Sequence, residues 1–356
     1  MPNIQYFLGA NSSRGFYSLY DQLIPPETAQ AVYILKGGPG CGKSTLMKQV
    51  AQQAEAAGLP VERILCSGDP ASLDAVVLPT RHIALVDGTA PHVIEPRCPG
   101  AVDHYVNLGV CYDAAALAPL REQLAAATAG YQSCYPRAYR CLAAAAQLQE
   151  DDRAALLTPS LEQKIARRAA GILKREVPRI KGCAPGRVTR RFLSAITHAG
   201  PMTLYPTALA QCSRVYALCD RYALAHNLLA HLLPGITDAG HDVIVCPNPL
   251  SPERMEHLLV PDLGLAFLSV TPERTLPGRP YRRLRLDAMP DPELLSQLRP
   301  QLRLSAKLVR SLTHEAVQAL AQAKAKHDVL EDLYHPYVDF ARVETIARDI
   351  CSGLFQ

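Results

Sequence analysis

The chain has 356 residues, room for about two domains at roughly 150 residues each. With 48% apolar residues, 20% charged residues and a net charge of +4, it is neither disordered nor collagen-like. So modest a charge does not by itself point to nucleic acid, and no apolar run reaches the roughly 18 residues of a membrane-spanning helix.

In chain order, Ala31–Gly37 is a short apolar run with β-branched Val32 and Ile34, and it predicts a buried strand. A glycine cluster follows, then a helical stretch from Lys43 to about Ala57 that Gly58 and Pro60 terminate. Val61–Cys66 and His82–Gly88 predict two more strands, and strands alternating with helices predict an α/β fold with a parallel sheet. From Asp113 to Val177 good helix formers dominate, interrupted near Pro136 and Pro159, which predicts a helical insertion or lid. That segment runs into a basic stretch, Lys164 to Arg191, holding ten Lys or Arg and one acid, Glu176. Strand-like sequence resumes after Gly186, and Pro290 onward is helical again.

The order of these events repeats. A displacement of about 183 to 185 residues lays Phe7 on Phe192, Gly15 on Gly200, Tyr20 on Tyr205 and Val32 on Val215. One of about 182 lays Gly58 on Gly240 and Pro79 on Pro261, and one of about 177 lays Pro159 on Pro336. The expectation is two tandem α/β units. Residues 1–186 carry a helical insertion at about 113–178, and residues 187–356 carry a helical extension at about 290–352.

The chemistry is concentrated in Gly37-Gly38-Pro39-Gly40-Cys41-Gly42-Lys43-Ser44-Thr45, which fits G-x-x-x-x-G-K-[ST] between a strand and a helix, the P-loop context. Glycines there permit positive φ and let the backbone close around a polyphosphate, with successive N–H groups and the helix N-terminus facing the anion. Lys43 is expected to reach the β- and γ-phosphates, and the Ser44 hydroxyl to ligate Mg²⁺. Asp87, ending the apolar strand His82–Asp87, is expected to be the second metal ligand and, with Lys43, to act in catalysis. Cys41 is a small filler beside a helix N-terminus, a place that can lower a thiol's pKa.

No Glu follows Asp87, so the usual water-activating position is empty. His92, Glu95, Asp69 and Asp74 are the nearby candidates, each also accounted for as a turn former, a cap or a solvated charge, and Thr89 could orient the γ-phosphate or water. Arg14, or Arg167, Arg168 and Arg175 of the basic stretch, could serve as an arginine finger, although a solvated helix face accounts for them as well. The basic stretch almost lacks aromatic residues, so a lid or inter-domain face is expected there in preference to nucleic-acid binding.

Carried onto the second unit, the loop becomes Asp220–Leu228, with Gly37, Gly38, Gly40 and Gly42 replaced by Asp220, Arg221, Ala223 and Ala225. Lys43 falls on His226, Ser44 on Asn227 and Asp87 on Ser269, so one nucleotide per chain is expected. The eleven cysteines include no CxxC pair, and the N-terminus has no basic start leading into an apolar core. The expected compartment is the cytoplasm.

Taken together, GFYSLYD, ILKGGPGCGKSTLMK, SLDAVVLP, DGTAPHVIEP and PGAV followed by NLG resemble a poorly characterised family of bacterial P-loop ATPases built from two tandem P-loop domains. The resemblance covers most of the first half and only the framework of the second, where the family can carry another P-loop and this chain does not. It implies an ATP-binding, ATPase-like protein and names no substrate, while the expectation of Mg²⁺ comes from Ser44 and Asp87. The residues leave a small-molecule kinase, with an acceptor hydroxyl in place of water, and a non-enzymatic nucleotide switch with a protein partner as alternatives.

Overall fold

In a computed structural model, which describes residues 3–355, the chain is an α/β protein with two six-stranded mixed sheets. The first half contains β1 (Ile4–Tyr6), a hairpin of β2 (Gly9–Ser12) and β3 (Gly15–Ser18), β4 (Ala31–Lys36) and α1 (Lys43–Ala56). Then come β5 (Glu62–Leu65), β6 (Leu73–Leu78), β7 (Ile83–Asp87) and β8 (Asp103–Asn107). Four helices follow: α2 (Ala114–Leu117), α3 (Arg121–Gln132), α4 (Tyr135–Leu156) and α5 (Pro159–Glu176). The second half begins with β9 (Val188–Arg190) and a hairpin of β10 (Ser194–Thr197) and β11 (Gly200–Thr203), then α6 (Tyr205–Gln211), β12 (Arg214–Cys219) and α7 (Ala225–Thr237). It continues through β13 (Val243–Pro247), β14 (Met255–Val260), β15 (Leu265–Val270) and β16 (Arg282–Arg285) to α8 (Pro292–Tyr334) and α9 (Phe340–Phe355).

The two sheets have one topology. Their orders, β1-β5-β6-β7-β4-β8 and β9-β13-β14-β15-β12-β16, match strand for strand, and so do the directions. Even the irregularity repeats, with the ladder slipping between Ile64 and Leu65 in one sheet and between Cys246 and Pro247 in the other. The expected wholly parallel sheet is corrected: β6 and β14 run antiparallel to both neighbours. The reason is the connection. Residues 79–82 and 261–264 are too few for the crossover that parallel neighbours need, and each ends in a left-handed residue, His82 (φ 53°) and Gly264 (φ 57°).

Corresponding residues of the two repeats meet one another, as in an isologous contact. Phe7 and Phe192 exchange both backbone hydrogen bonds at 2.9 Å, and Arg137 of α4 pairs with Glu315 of α8 at 2.7 Å. Alanines let α4 and α8 approach, with Ala138, Ala145, Ala316 and Ala319 packed in one cluster with Leu142 and Leu320. Where these two repeats join, Arg191 is buried, its guanidinium on Glu62 at 2.5 Å and on the carbonyls of Gln22 and Leu23. The last residue of the basic stretch is therefore an internal tie.

The terminal helices are exchanged. Helix α5 starts at a Thr158 cap with Pro159 behind it, and buries Leu161, Ile165, Ala169 and Ile172 along one stripe. That stripe enters the core of the second sheet, against Leu228, Leu232 and Ile236 of α7. In return, α9 packs on α1 and sends Ala347, Ile350, Cys351 and Leu354 into the core of the first sheet. Packing thus crosses the 186/187 division of the chain. Among the described residues no helix is long and apolar enough to cross a membrane, and all eleven cysteines are free.

Candidate functional site

The loop between β4 and α1 has the shape its glycines allow. Gly40 (φ 71°) and Gly42 (φ 84°) are left-handed, and a Cβ on Gly37 would stand 2.6 Å from Cys41 Sγ. A Cβ on Gly38 would stand 2.9 Å from the Tyr112 hydroxyl, which donates to the Pro39 carbonyl at 2.9 Å. Lys43, the first residue of α1, folds back over the loop and donates to the carbonyls of Gly37 and Gly38 at 2.7 and 2.9 Å. Its ammonium lies 3.6 Å from Asp87 Oδ2, and both side chains are about seven-eighths buried, at 13% and 14% exposure. Thr45 is exposed. Cys41 departs from expectation: burial pushes its thiol up, and the nearby Lys43 does not offset it.

Asp87 is held from behind. The Thr89 N–H and hydroxyl donate to Oδ1 at 2.9 and 2.6 Å, which leaves Oδ2 turned toward Lys43. Ser44 Oγ accepts the Leu73 N–H at 2.9 Å, leaving a lone pair for a cation. A polyphosphate with a divalent cation fits this donor set: glycine turns with two left-handed residues and little room for a Cβ, an ammonium beside the loop, one hydroxyl and one aspartate carboxylate. Lys36, which sequence reasoning passed over, anchors the next turn by donating to the carbonyls of Gly88 and Ile94 at 2.9 and 2.8 Å.

The other candidates scatter. Glu95 pairs with Lys36 and Tyr105 at the exposed rim, and Asp69 caps Ala71 and Ser72 and faces Lys324 of α8 at 3.5 Å. Asp74 accepts the Tyr20 hydroxyl at 2.7 Å and lies 3.6 Å from His92, all three being buried. Burial works against the charged form of His92, but Asp74 more than offsets it and the pKa is raised. The second repeat keeps the charged pair as Glu256 and Arg274, 2.7 Å apart, while its tyrosine, Tyr205, donates instead to the Ser269 carbonyl at 2.7 Å. A pair retained where the glycine loop is lost is a brace for the fold. Arg14 faces Glu253 of the second repeat, and Arg175, on α5, bonds its neighbour Glu176 and Tyr216 of the second repeat; Arg167 and Arg168 lie on the same helix. None of these arginines is among the side chains bonded to the loop.

What does reach the loop is the end of α8. Glu331 Oε1 accepts the Gly40 N–H at 3.3 Å, and a Cβ on Gly40 would stand 3.2 Å from the Glu331 carbonyl. Tyr334 packs on Tyr112 with ring centres 5.4 Å apart, and Val343 of α9 lies against Gly42. Nothing in the sequence announced this, because Glu331 is one charge among many on a 43-residue helix.

In the second repeat the loop keeps a left-handed residue, Ala223 (φ 56°), but its cradle is filled from within. The buried Asp220 carboxylate accepts the N–H groups of Tyr222, Leu224 and Ala225 at 3.3, 2.9 and 2.7 Å. The pairing of His226 with Lys43 needs correction. The loop is one residue shorter, α7 begins at Ala225, and Met255 N–H donates to His226 Nδ1 just as Leu73 N–H donates to Ser44. His226 therefore stands in for Ser44 and Ala225 for Lys43. Burial and the neighbouring Arg254 lower the His226 pKa. Beside it is a cavity of about 470 Å³ lined by Ser13, Arg14, Ala146, Glu150, His226 and Arg254. No protein-family model, no curated protein and no solved structure matches this chain.

Proposed function

We propose that the chain is a Mg²⁺-dependent ATP-binding protein, a P-loop ATPase with two tandem P-loop-like units and one nucleotide site, in the first repeat. The observation that carries this reading is Lys43, an almost buried ammonium held by two loop carbonyls and poised beside Asp87 at the N-terminus of α1. An ammonium so placed exchanges those carbonyls for phosphate oxygens at little cost in reorganisation. The loop N–H groups and the start of α1 orient the polyphosphate, and Ser44 and Asp87 hold the cation. Mg²⁺, when bound, neutralises charge on the phosphates. Thr89 fixes the orientation of Asp87, and Lys36 fixes the turn that carries Thr89. The second repeat offers no ammonium at the loop, and Asp220 takes three of its N–H groups.

No carboxylate follows Asp87, and the end of α8 lies on the loop, which favours slow turnover coupled to movement of α8, the behaviour of a nucleotide switch. The experiment is a thermal melt with and without Mg-ATP. At a hundredfold excess over the dissociation constant the wild type should gain about 2.7 kcal/mol, and Lys43→Ala should lose that gain. An unchanged gain in the mutant refutes the site.

A further inference from the structure

We propose that Glu331 is a displaceable internal anion that closes the glycine loop, so that polyphosphate binding frees the end of α8 from the first repeat. The proposal rests on the nucleotide reading above and names the regulation of that site. Both loops of this chain hold a carboxylate, in different ways. Asp220 is 7% exposed, comes from within its loop and takes three N–H groups, so it is a permanent filling. Glu331 comes from a helix of the other repeat, its side chain is 43% exposed, and it takes a single N–H at 3.3 Å. A long, single, half-solvated bond is one that a multivalent anion replaces.

The position of Glu331 is specific to the intact loop. With α4 and α8 aligned on their buried faces, Ala138 on Ala316 and Leu142 on Leu320, its counterpart is Arg153, which pairs with Glu150 and, as a guanidinium, has no acceptor to offer a loop N–H. In the same alignment Ala146 stands where α8 has Lys324, and it lines the cavity of about 470 Å³ beside His226. On the first repeat, Lys324 and Glu331 lie against Asp69 and Gly40.

Displacement would have consequences beyond one side chain. The turn after α8 is clamped to the first repeat by Asp113 N–H on the Tyr337 carbonyl at 2.9 Å and Asp339 N–H on the Cys111 carbonyl at 2.8 Å. Arg342 adds a bond to the Val110 carbonyl at 2.8 Å. Tyr112, between loop and turn, bonds Pro39 and packs on Tyr334. A phosphate at the Gly40 N–H therefore pushes on the α8–α9 corner, and through α8 on its long contact with α4.

The test is calorimetric titration of the full chain with Mg-ATP, for the wild type, Glu331→Gln and Glu331→Asp, with Glu315→Gln as a control, a carboxylate on the same helix that pairs with Arg137 far from the loop. Removing the competing charge should tighten binding about 5- to 10-fold in Glu331→Gln, while the control stays at the wild-type value. Glu331→Asp, whose carboxylate is too short to reach, should tighten it as well and serves if the Gln variant does not fold. Hydrogen exchange supplies a readout independent of turnover: residues 331–343 should exchange faster in the wild type with Mg-ATP, and in Glu331→Gln already without it. Equal or weaker binding in both variants overturns the proposal and leaves the nucleotide site standing. Absence of Mg-ATP binding in every protein overturns the nucleotide reading and this proposal together.

Discussion

Helix exchange makes a prediction that divides cleanly between the two repeats. Ile165 of α5 is fully buried, yet the core it fills belongs to the second sheet. Ile165→Ala removes three carbons, about 2.4 kcal/mol at roughly 0.8 kcal/mol each, and an unrelaxed cavity brings the loss toward 4 kcal/mol. Ile350→Ala on α9 is its mirror, removing the same group from the first core at a site 8% exposed, so a loss of about 2–3 kcal/mol is expected. Chemical denaturation measures the totals, and native-state hydrogen exchange locates them. Ile165→Ala should lower protection in α7 and β12, and Ile350→Ala in α1 and β4. If each substitution instead loosened the sheet nearer in the chain, so that Ile165→Ala exposed α1, the exchange would be refuted.

Glu256 is buried, and although burial raises its pKa, Arg274 and His257 more than offset this and hold the carboxyl well below the usual range. Its stabilisation is complete above the unfolded carboxylate pKa, near 4.3, and is lost as pH falls through the lower folded value. Glu256→Gln should cost about 3–5 kcal/mol at neutral pH and flatten the acid limb of the stability curve; an unchanged limb removes Glu256 as its source. His226→Ala should leave the Mg-ATP dissociation constant within about twofold of wild type, because His226 occupies the Ser44 position of a loop already filled by Asp220. A large loss of affinity would mean that the second repeat binds phosphate.

The β4–loop–α1 unit was legible because its chemistry restricts its residues: left-handed turns demand glycine, and the ammonium must follow the last of them. The repeat was legible through spaced landmarks, and the matching sheet orders agree with it. Strand β6 was missed because Asp74 breaks its apolar run, a charge that Tyr20 holds inside the fold, and its antiparallel direction followed from the brief 79–82 connection. The exchange of α5 and α9 was invisible for a deeper reason. An apolar stripe declares that a face is covered without naming the neighbour that covers it. For the same reason the approach of Glu331 to Gly40, 291 residues earlier in the chain, had no local signature.

The central claim, one nucleotide site built around Lys43, is tested most directly by the stoichiometry of Mg-ATP binding in a calorimetric titration. One equivalent per chain in the wild type, and none detectable in Lys43→Ala, is the predicted result. Two equivalents per chain, or binding that survives Lys43→Ala, would contradict it.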